Sequence, residues 1–174
     1  ERIGNCFLYD CSELTSIHFG SALSKLTTIE NYFLAVCPKL TAVDLTSLYN
    51  VNRIWDYFLS NCSSLVLADL RVFKQVTSIG DSFLARCSQL KVVDLSLLKR
   101  IDSIGEFFLY ECSRVTTLTF GTLPIRMTSI RKYFLFNCSS LIYIDLSHFY
   151  NVSIIGDCFL YGCSGIKTID LGAF

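Results

Sequence analysis

Phe134-Leu135-Phe136-Asn137-Cys138-Ser139-Ser140-Leu141-Ile142-Tyr143-Ile144-Asp145-Leu146 decides the fold, because the chain states this stretch seven times with only part of it changed. Phe7, Phe33, Phe58, Phe83, Phe108, Phe134 and Phe159 are each followed by Leu, at steps of 26, 25, 25, 25, 26 and 25 residues. Four residues after each phenylalanine comes a cysteine: Cys11, Cys37, Cys62, Cys87, Cys112, Cys138 and Cys163. Three further on, an aliphatic residue opens a short apolar run. A fixed period of roughly 20 to 50 residues marks a solenoid, in which each unit buries its apolar face only against its neighbours.

Working outward from the cysteine, the following run reads apolar, x, x, apolar, x, apolar, as in Leu40-Thr-Ala-Val43-Asp-Leu45 and Leu90-Lys-Val-Val93-Asp-Leu95. Its closing alternation predicts one short strand per unit, and stacked units make a parallel sheet. Before the cysteine the period changes. Ile29, Phe33 and Cys37, or Ile54, Phe58 and Cys62, are spaced i, i+4, i+8, which predicts about two turns of helix with Gly80, Gly105 and Gly156 at its start. A strand needs about 4.8 Å of lateral room and a helix about 10 Å, so an array of both must curve. The expected fold is therefore an α/β solenoid of about seven repeats. It is a horseshoe with one strand per 25-26-residue repeat on the concave face and one short helix on the convex face.

The pattern Ile-Gly-x-x-Phe-Leu-x-x-Cys-Ser-x-Leu-x-x-Ile-Asp-Leu resembles the Treponema-type, or BspA-like, leucine-rich repeat over essentially all 174 residues. It departs from that family's usual form in having Leu after the phenylalanine and Asp-Leu-Ser where Ile-Pro is common. The resemblance implies recognition or adhesion proteins at the surface of bacteria and protists, and transfers no ligand. A longer period is also present. The units at Phe7 and Phe108 share Phe-Gly endings (Phe19-Gly20, Phe120-Gly121), which points to duplication of a four-unit block of 101 residues.

Composition narrows the function classes. Residues are 52% hydrophobic and 17% charged, so the chain is too apolar to be disordered, yet no apolar run approaches the ~20 residues that span a bilayer. Fifteen basic and fifteen acidic residues cancel without forming blocks, which argues against nucleic acid or an anionic membrane as partner. Residues 1–174 are expected to be one domain. Glu1 at the start, and ends that fall inside repeats without polar caps, suggest a piece of a longer array.

The nine cysteines lack the two-to-four-residue ligand spacing of zinc sites. The seven aligned ones are expected to be buried, reduced fillers of the turn; Cys6 and Cys158, just before the phenylalanine, are the candidate reactive thiols. Asp44, Asp69, Asp94, Asp145 and Asp170 occupy the last outward position of the strand. They can form an acidic stripe for a basic partner, hold the following turn by hydrogen bonds, or do both. With His18, Ser16, Leu67, Val92, Thr117, Tyr143 and Thr168 they make up the candidate concave binding face. Its exposed positions vary while the core positions hold, and several are apolar where a solvated strand would be polar.

For catalysis the sequence offers little: His18 and His148 occupy different repeat positions, and no nucleophile turn or phosphate loop is present. No enzyme, cofactor or metal is expected. Sequons occur at Asn61, Asn137 and Asn151, the first two as by-products of the Cys-Ser letter. The expected function is a non-catalytic recognition or adhesion module of a cell-surface or secreted protein, binding protein or glycan. The alternative is a cytoplasmic scaffold or the substrate-recognition arm of a complex such as a ubiquitin ligase, which the free thiols favour.

Overall fold

Alternation at the end of each apolar run sends one side chain inward and the next outward, and a strand follows. The computed structural model describes residues 1–98, 100–121 and 126–174. Its strands are β1 (Arg2–Ile3), β2 (Ser16–His18), β3 (Thr28–Ile29), β4 (Ala42–Asp44), β5 (Arg53–Ile54), β6 (Leu67–Ala68), β7 (Ser78–Ile79), β8 (Val92–Leu95), β9 (Ser103–Ile104), β10 (Thr117–Phe120), β11 (Ser129–Ile130) and β12 (Ile154–Ile155). All pairings are parallel. One sheet side carries β2-β4-β6 and β8-β10, and Tyr143 extends the latter through a bridge to Thr117. A second sheet, β1-β3-β5-β7-β9, is formed by the residue pair that ends in the buried isoleucine of each unit, and β11 pairs with β12 in the same manner. Each of the first five units thus supplies two strands where the sequence predicts one.

The expected convex helix is not formed: among the described residues the only helical pieces are single 3-10 turns at Thr46–Leu48 and Leu70–Val72. The i, i+4 spacing of Ile29, Phe33 and Cys37 is a true burial period, since all three are fully buried, but a run of turns produces it. Tyr32, Leu34 and Val36 have φ of 62°, 51° and 59°, and the same alternation recurs in every unit. A helix would bond its amides within itself. Here they reach the coils on either side: the Tyr32 N–H donates to Asp56 O (2.9 Å), Leu34 to Phe7 O (2.8 Å) and Val36 to Ser60 O (2.8 Å). A left-handed residue other than glycine costs about 1–2 kcal/mol. Inter-coil bonds of roughly 0.5–1.5 kcal/mol each, with complete burial of the leucines, offset that cost.

Loss of the helix also removes the wedge that was expected to fan one side outward. Tyr32 and Tyr57 on the turn side stack at 4.5 Å, which is strand-like spacing, so the molecule is a parallel β-solenoid with a strand face and a turn face.

Between the faces the phenylalanines stack as a column, from Phe7–Phe33 at 5.5 Å through Phe33–Phe58 at 5.4 Å to Phe108–Phe134 at 5.1 Å. Beside it the cysteine thiols donate to the carbonyl of the left-handed leucine one unit back: Cys62 to Leu34 (3.0 Å), Cys87 to Leu59 (3.1 Å), Cys112 to Leu84 (3.0 Å). Each leucine is therefore held twice, through its N–H by the coil before and through its carbonyl by the thiol after. Gly80 and Gly105 serve close stacking and not a helix start, since a Cβ at Gly80 would lie 2.5 Å from the Trp55 carbonyl carbon.

Candidate binding face

On the strand face the outward positions line up in two rows. The first runs Ser16, Ala42, Leu67 across β2-β4-β6, then Val92, Thr117, Tyr143 across β8, β10 and the bridge. Leu67 is 63% exposed and Tyr143 55%, with Val66, Val92 and Ile142 also open to solvent. These side chains are not covered by neighbours; Leu67 and Val92 stand on paired strands and Tyr143 on a single bridge.

The second row is His18, Asp44, Asp69, Asp94, Thr119, Asp145. Each aspartate accepts the N–H two residues on: Asp44 from Thr46 (3.0 Å), Asp69 from Arg71 (3.1 Å), Asp94 from Ser96 (2.9 Å), Asp145 from Ser147 (2.9 Å) and Asp170 from Gly172 (2.8 Å). These are Asx turns, which end the strand and start the connection. The Thr46 hydroxyl and amide hold the Asp44 carboxyl below its usual pKa, the Arg71 guanidinium and amide do so for Asp69, and Ser147 does so for Asp145. Arg71 grips both oxygens of Asp69 at 2.9 Å, and His18 Nδ1 stands 3.6 Å from Asp44 Oδ2, so the acidic stripe is partly compensated.

Two depressions sort the candidates. Thr117, Tyr143 and Asp145 meet in one of about 460 Å³, together with Phe120 and His148, which the sequence reading leaves out of the face. Leu67, Asp69, Val92 and Asp94 meet in a smaller one of about 220 Å³, with Arg71. Ser16, His18 and Asp44 lie at the N-terminal end of the face, apart from both. Thr168 and Asp170 are exposed on the last coil, outside any described strand.

Away from this face, Cys37, Cys62, Cys87, Cys112 and Cys138 are fully buried, Cys11 and Cys163 are half-buried on the end coils, and Cys6 and Cys158 are exposed. Burial pushes the Cys112 thiol up to about 12 and Cys163 up to about 11. The neighbouring Cys37 and Cys62 thiols shift in opposite directions through their mutual interaction and burial, down at Cys37 and up at Cys62. Among the described residues no group of three or more His, Cys, Asp or Glu is placed to hold a metal, and no helix is long and apolar enough to cross a membrane.

A further ladder was missed from sequence. Two residues before the phenylalanine, Asn5 Oδ1 accepts the Asn31 N–H (3.1 Å), Asn31 that of Asp56 (3.0 Å), Asp56 that of Asp81 (2.9 Å) and Asp81 that of Glu106 (2.7 Å). Its signal is the recurring Asn or Asp at that position as far as Asp81; Glu106 only donates to it, and Lys132 follows.

The family described as "BspA type Leucine rich repeat region" matches residues 1–97 and 66–173, in six copies. Among solved structures, a leucine-rich repeat protein from Bacteroides ovatus is similar over 98% of this chain and 40% of its own, with 22% identity and a TM-score of 0.73. The T. pallidum leucine-rich repeat protein is similar over 95% of this chain and 71% of its own, with 18% identity and a TM-score of 0.74. The chain thus spans two-fifths of the Bacteroides protein's length. No curated protein matched the chain in the comparison.

Proposed function

From the premise that this chain belongs to the BspA-type leucine-rich repeat family, we propose that it is a recognition module that takes a protein partner on its strand face. The observation that carries this reading is the group of uncovered apolar side chains, Leu67, Val92, Ile142 and Tyr143, on the strand face of a hydrogen-bonded frame. An exposed aromatic on such a frame offers large contact area at small entropic cost, which makes Tyr143 the anchor of the surface. The depression beside it supplies hydroxyls from Thr117 and Thr119, the Asp145 carboxylate and the His148 ring to orient what Tyr143 holds. A glycan is the second occupant in view, since a sugar ring stacks on tyrosine while its hydroxyls meet such groups. Adhesion at a cell surface, or from a secreted protein, is the setting we propose. The nine free thiols favour instead the reducing interior and a scaffold role.

The test compares proteins and glycans retained by the immobilised wild-type chain with those retained by Leu67→Ala/Tyr143→Ala and by the turn-face control Tyr9→Ala. Loss of a ligand with the first variant and its retention by the second is expected. A ligand that ignores the strand-face pair and leaves with the control would move the binding surface elsewhere. Fractionation of cells producing the full-length protein decides between the two settings.

A further inference from the structure

The turn face carries a second, unrelated feature. At the position just before each core phenylalanine the chain builds an outer aromatic column: Tyr32 stacks on Tyr57 at 4.5 Å with rings 4° from parallel, and Phe107 stacks on Tyr133 at 4.7 Å and 7°. Between these two pairs the same position is Ser82. Its backbone matches its neighbours, with φ of 57° against 62° at Tyr57 and 57° at Phe107, so the serine Cβ sits in register with the column. The core rings one residue on, Phe58, Phe83 and Phe108, step by 5.3 and 5.7 Å. Tyr57 and Phe107 are therefore two steps apart, and one ring is missing between them.

A cavity of about 260 Å³ occupies that place, with Tyr57 and Phe107 as opposite walls and the small, buried Ser82, Ala85 and Ser60 as its floor. An inserted ring would lie one stacking step from each wall, inside the range in which aromatic pairs attract. Several of the polar atoms around it are engaged. Asp81 Oδ1 accepts the Glu106 N–H at 2.7 Å, Arg86 Nε donates to Glu111 at 3.0 Å, and Asn61 Nδ2 donates to Ser60 at 3.0 Å. Two ring walls one stacking step to either side favour a flat aromatic ring over a puckered sugar.

We propose that the gap at Ser82, between Tyr57 and Phe107, is a binding slot for a phenylalanine or tyrosine side chain of a protein partner, which completes the column. The slot is on the face opposite the strand-face surface, so it stands or falls separately.

The experiment titrates the isotope-labelled chain with capped Ala-Tyr-Ala and capped Ala-Phe-Ala peptides, with capped Ala-Leu-Ala and N-acetylglucosamine as controls, and follows the Ala85 methyl and Ser82 amide signals. Saturable upfield ring-current shifts with the aromatic peptides alone are expected. Ser82→Tyr fills the slot from within; Tyr32, Tyr57 and Tyr133 hold the same left-handed backbone, so this variant should melt higher than wild type and lose the shifts. Phe107→Leu removes one wall at a position where the chain elsewhere carries Ser or Cys, and should weaken binding at least tenfold, whereas Tyr143→Ala should leave it unchanged. Equal response to the leucine peptide or to the sugar would overturn the proposal. So would no saturable shift with the aromatic peptides, or binding of p-cresol without them, or shifts that persist in Phe107→Leu.

Discussion

Cysteine in the ladder acts as a small donor as well as a filler. The Cys87 thiol reaches the Leu59 carbonyl, which is buried and already turned away from any helical partner. Replacing Cys87 by Ala leaves that carbonyl without a donor, so a loss of about 1–3 kcal/mol is expected, and Cys87→Ser should lose less because it keeps an O–H in place. Thermal melts of the two variants check the order. The same burial keeps the column unreactive: an aromatic disulfide reagent should modify Cys6 and Cys158 first in the native protein, and Cys62, Cys87, Cys112 and Cys138 only after denaturation. Asp44, Asp69 and Asp145 have folded pKa values depressed by their turn bonds. A depressed carboxyl contributes stability that is present above its unfolded pKa of about 3.9 and is lost as pH falls through the lower folded value. The triple change Asp44→Asn/Asp69→Asn/Asp145→Asn retains an acceptor oxygen for each turn and removes the charge. Its denaturation midpoint should consequently fall less than that of wild type on going from neutral pH to about pH 2.

At the scale of the element, the run from Asn31 to Cys37 shows why burial spacing alone does not specify a helix. The same i, i+4 pattern arises when three left-handed residues alternate with residues of negative φ and the amides are shared between coils. The two structures respond oppositely to glycine. Arg86 has φ of 61°, and both Arg86→Ala and Arg86→Gly give up its pairing with Glu111. In this turn the Gly variant should be the more stable of the two by about 1 kcal/mol, because alanine is strained where glycine is not; in a helix the order would reverse by about the same amount. Urea denaturation of the pair measures the difference directly.

Across the whole molecule stability is a sum of contacts between adjacent coils, and the phenylalanine column runs through all of them. Phe83 stacks on Phe58 and Phe108 and is fully buried, so Phe83→Ala should cost about 3–5 kcal/mol and unsettle two interfaces at once. Leu67→Ala on the strand face should cost under ~1 kcal/mol, since that side chain contributes little to the column. Comparable melting shifts for the two would contradict the division of the chain into a frame that stabilises and a face that is free to recognise.

Period, register and the inward set were legible in the sequence, because every unit buries the same letters against the next and no unit can change them without disturbing two interfaces. The strand that ends in Asp-Leu, the buried Phe and Cys columns and the Asx turn at Asp44 all follow from that repetition. The gathering of Thr117, Tyr143 and Asp145 with His148 was less legible, because it depends on which coils lie side by side on the face. What only the tertiary structure decided is where the backbone amides of the turn go. Local spacing at Ile29, Phe33 and Cys37 is satisfied by a helix or by stacked left-handed turns, and bonds to coils about 25 residues away in sequence select the turns. Those long-range bonds replace the helix with stacked turns and bring Tyr57 and Phe107 into one column with a ring missing at Ser82.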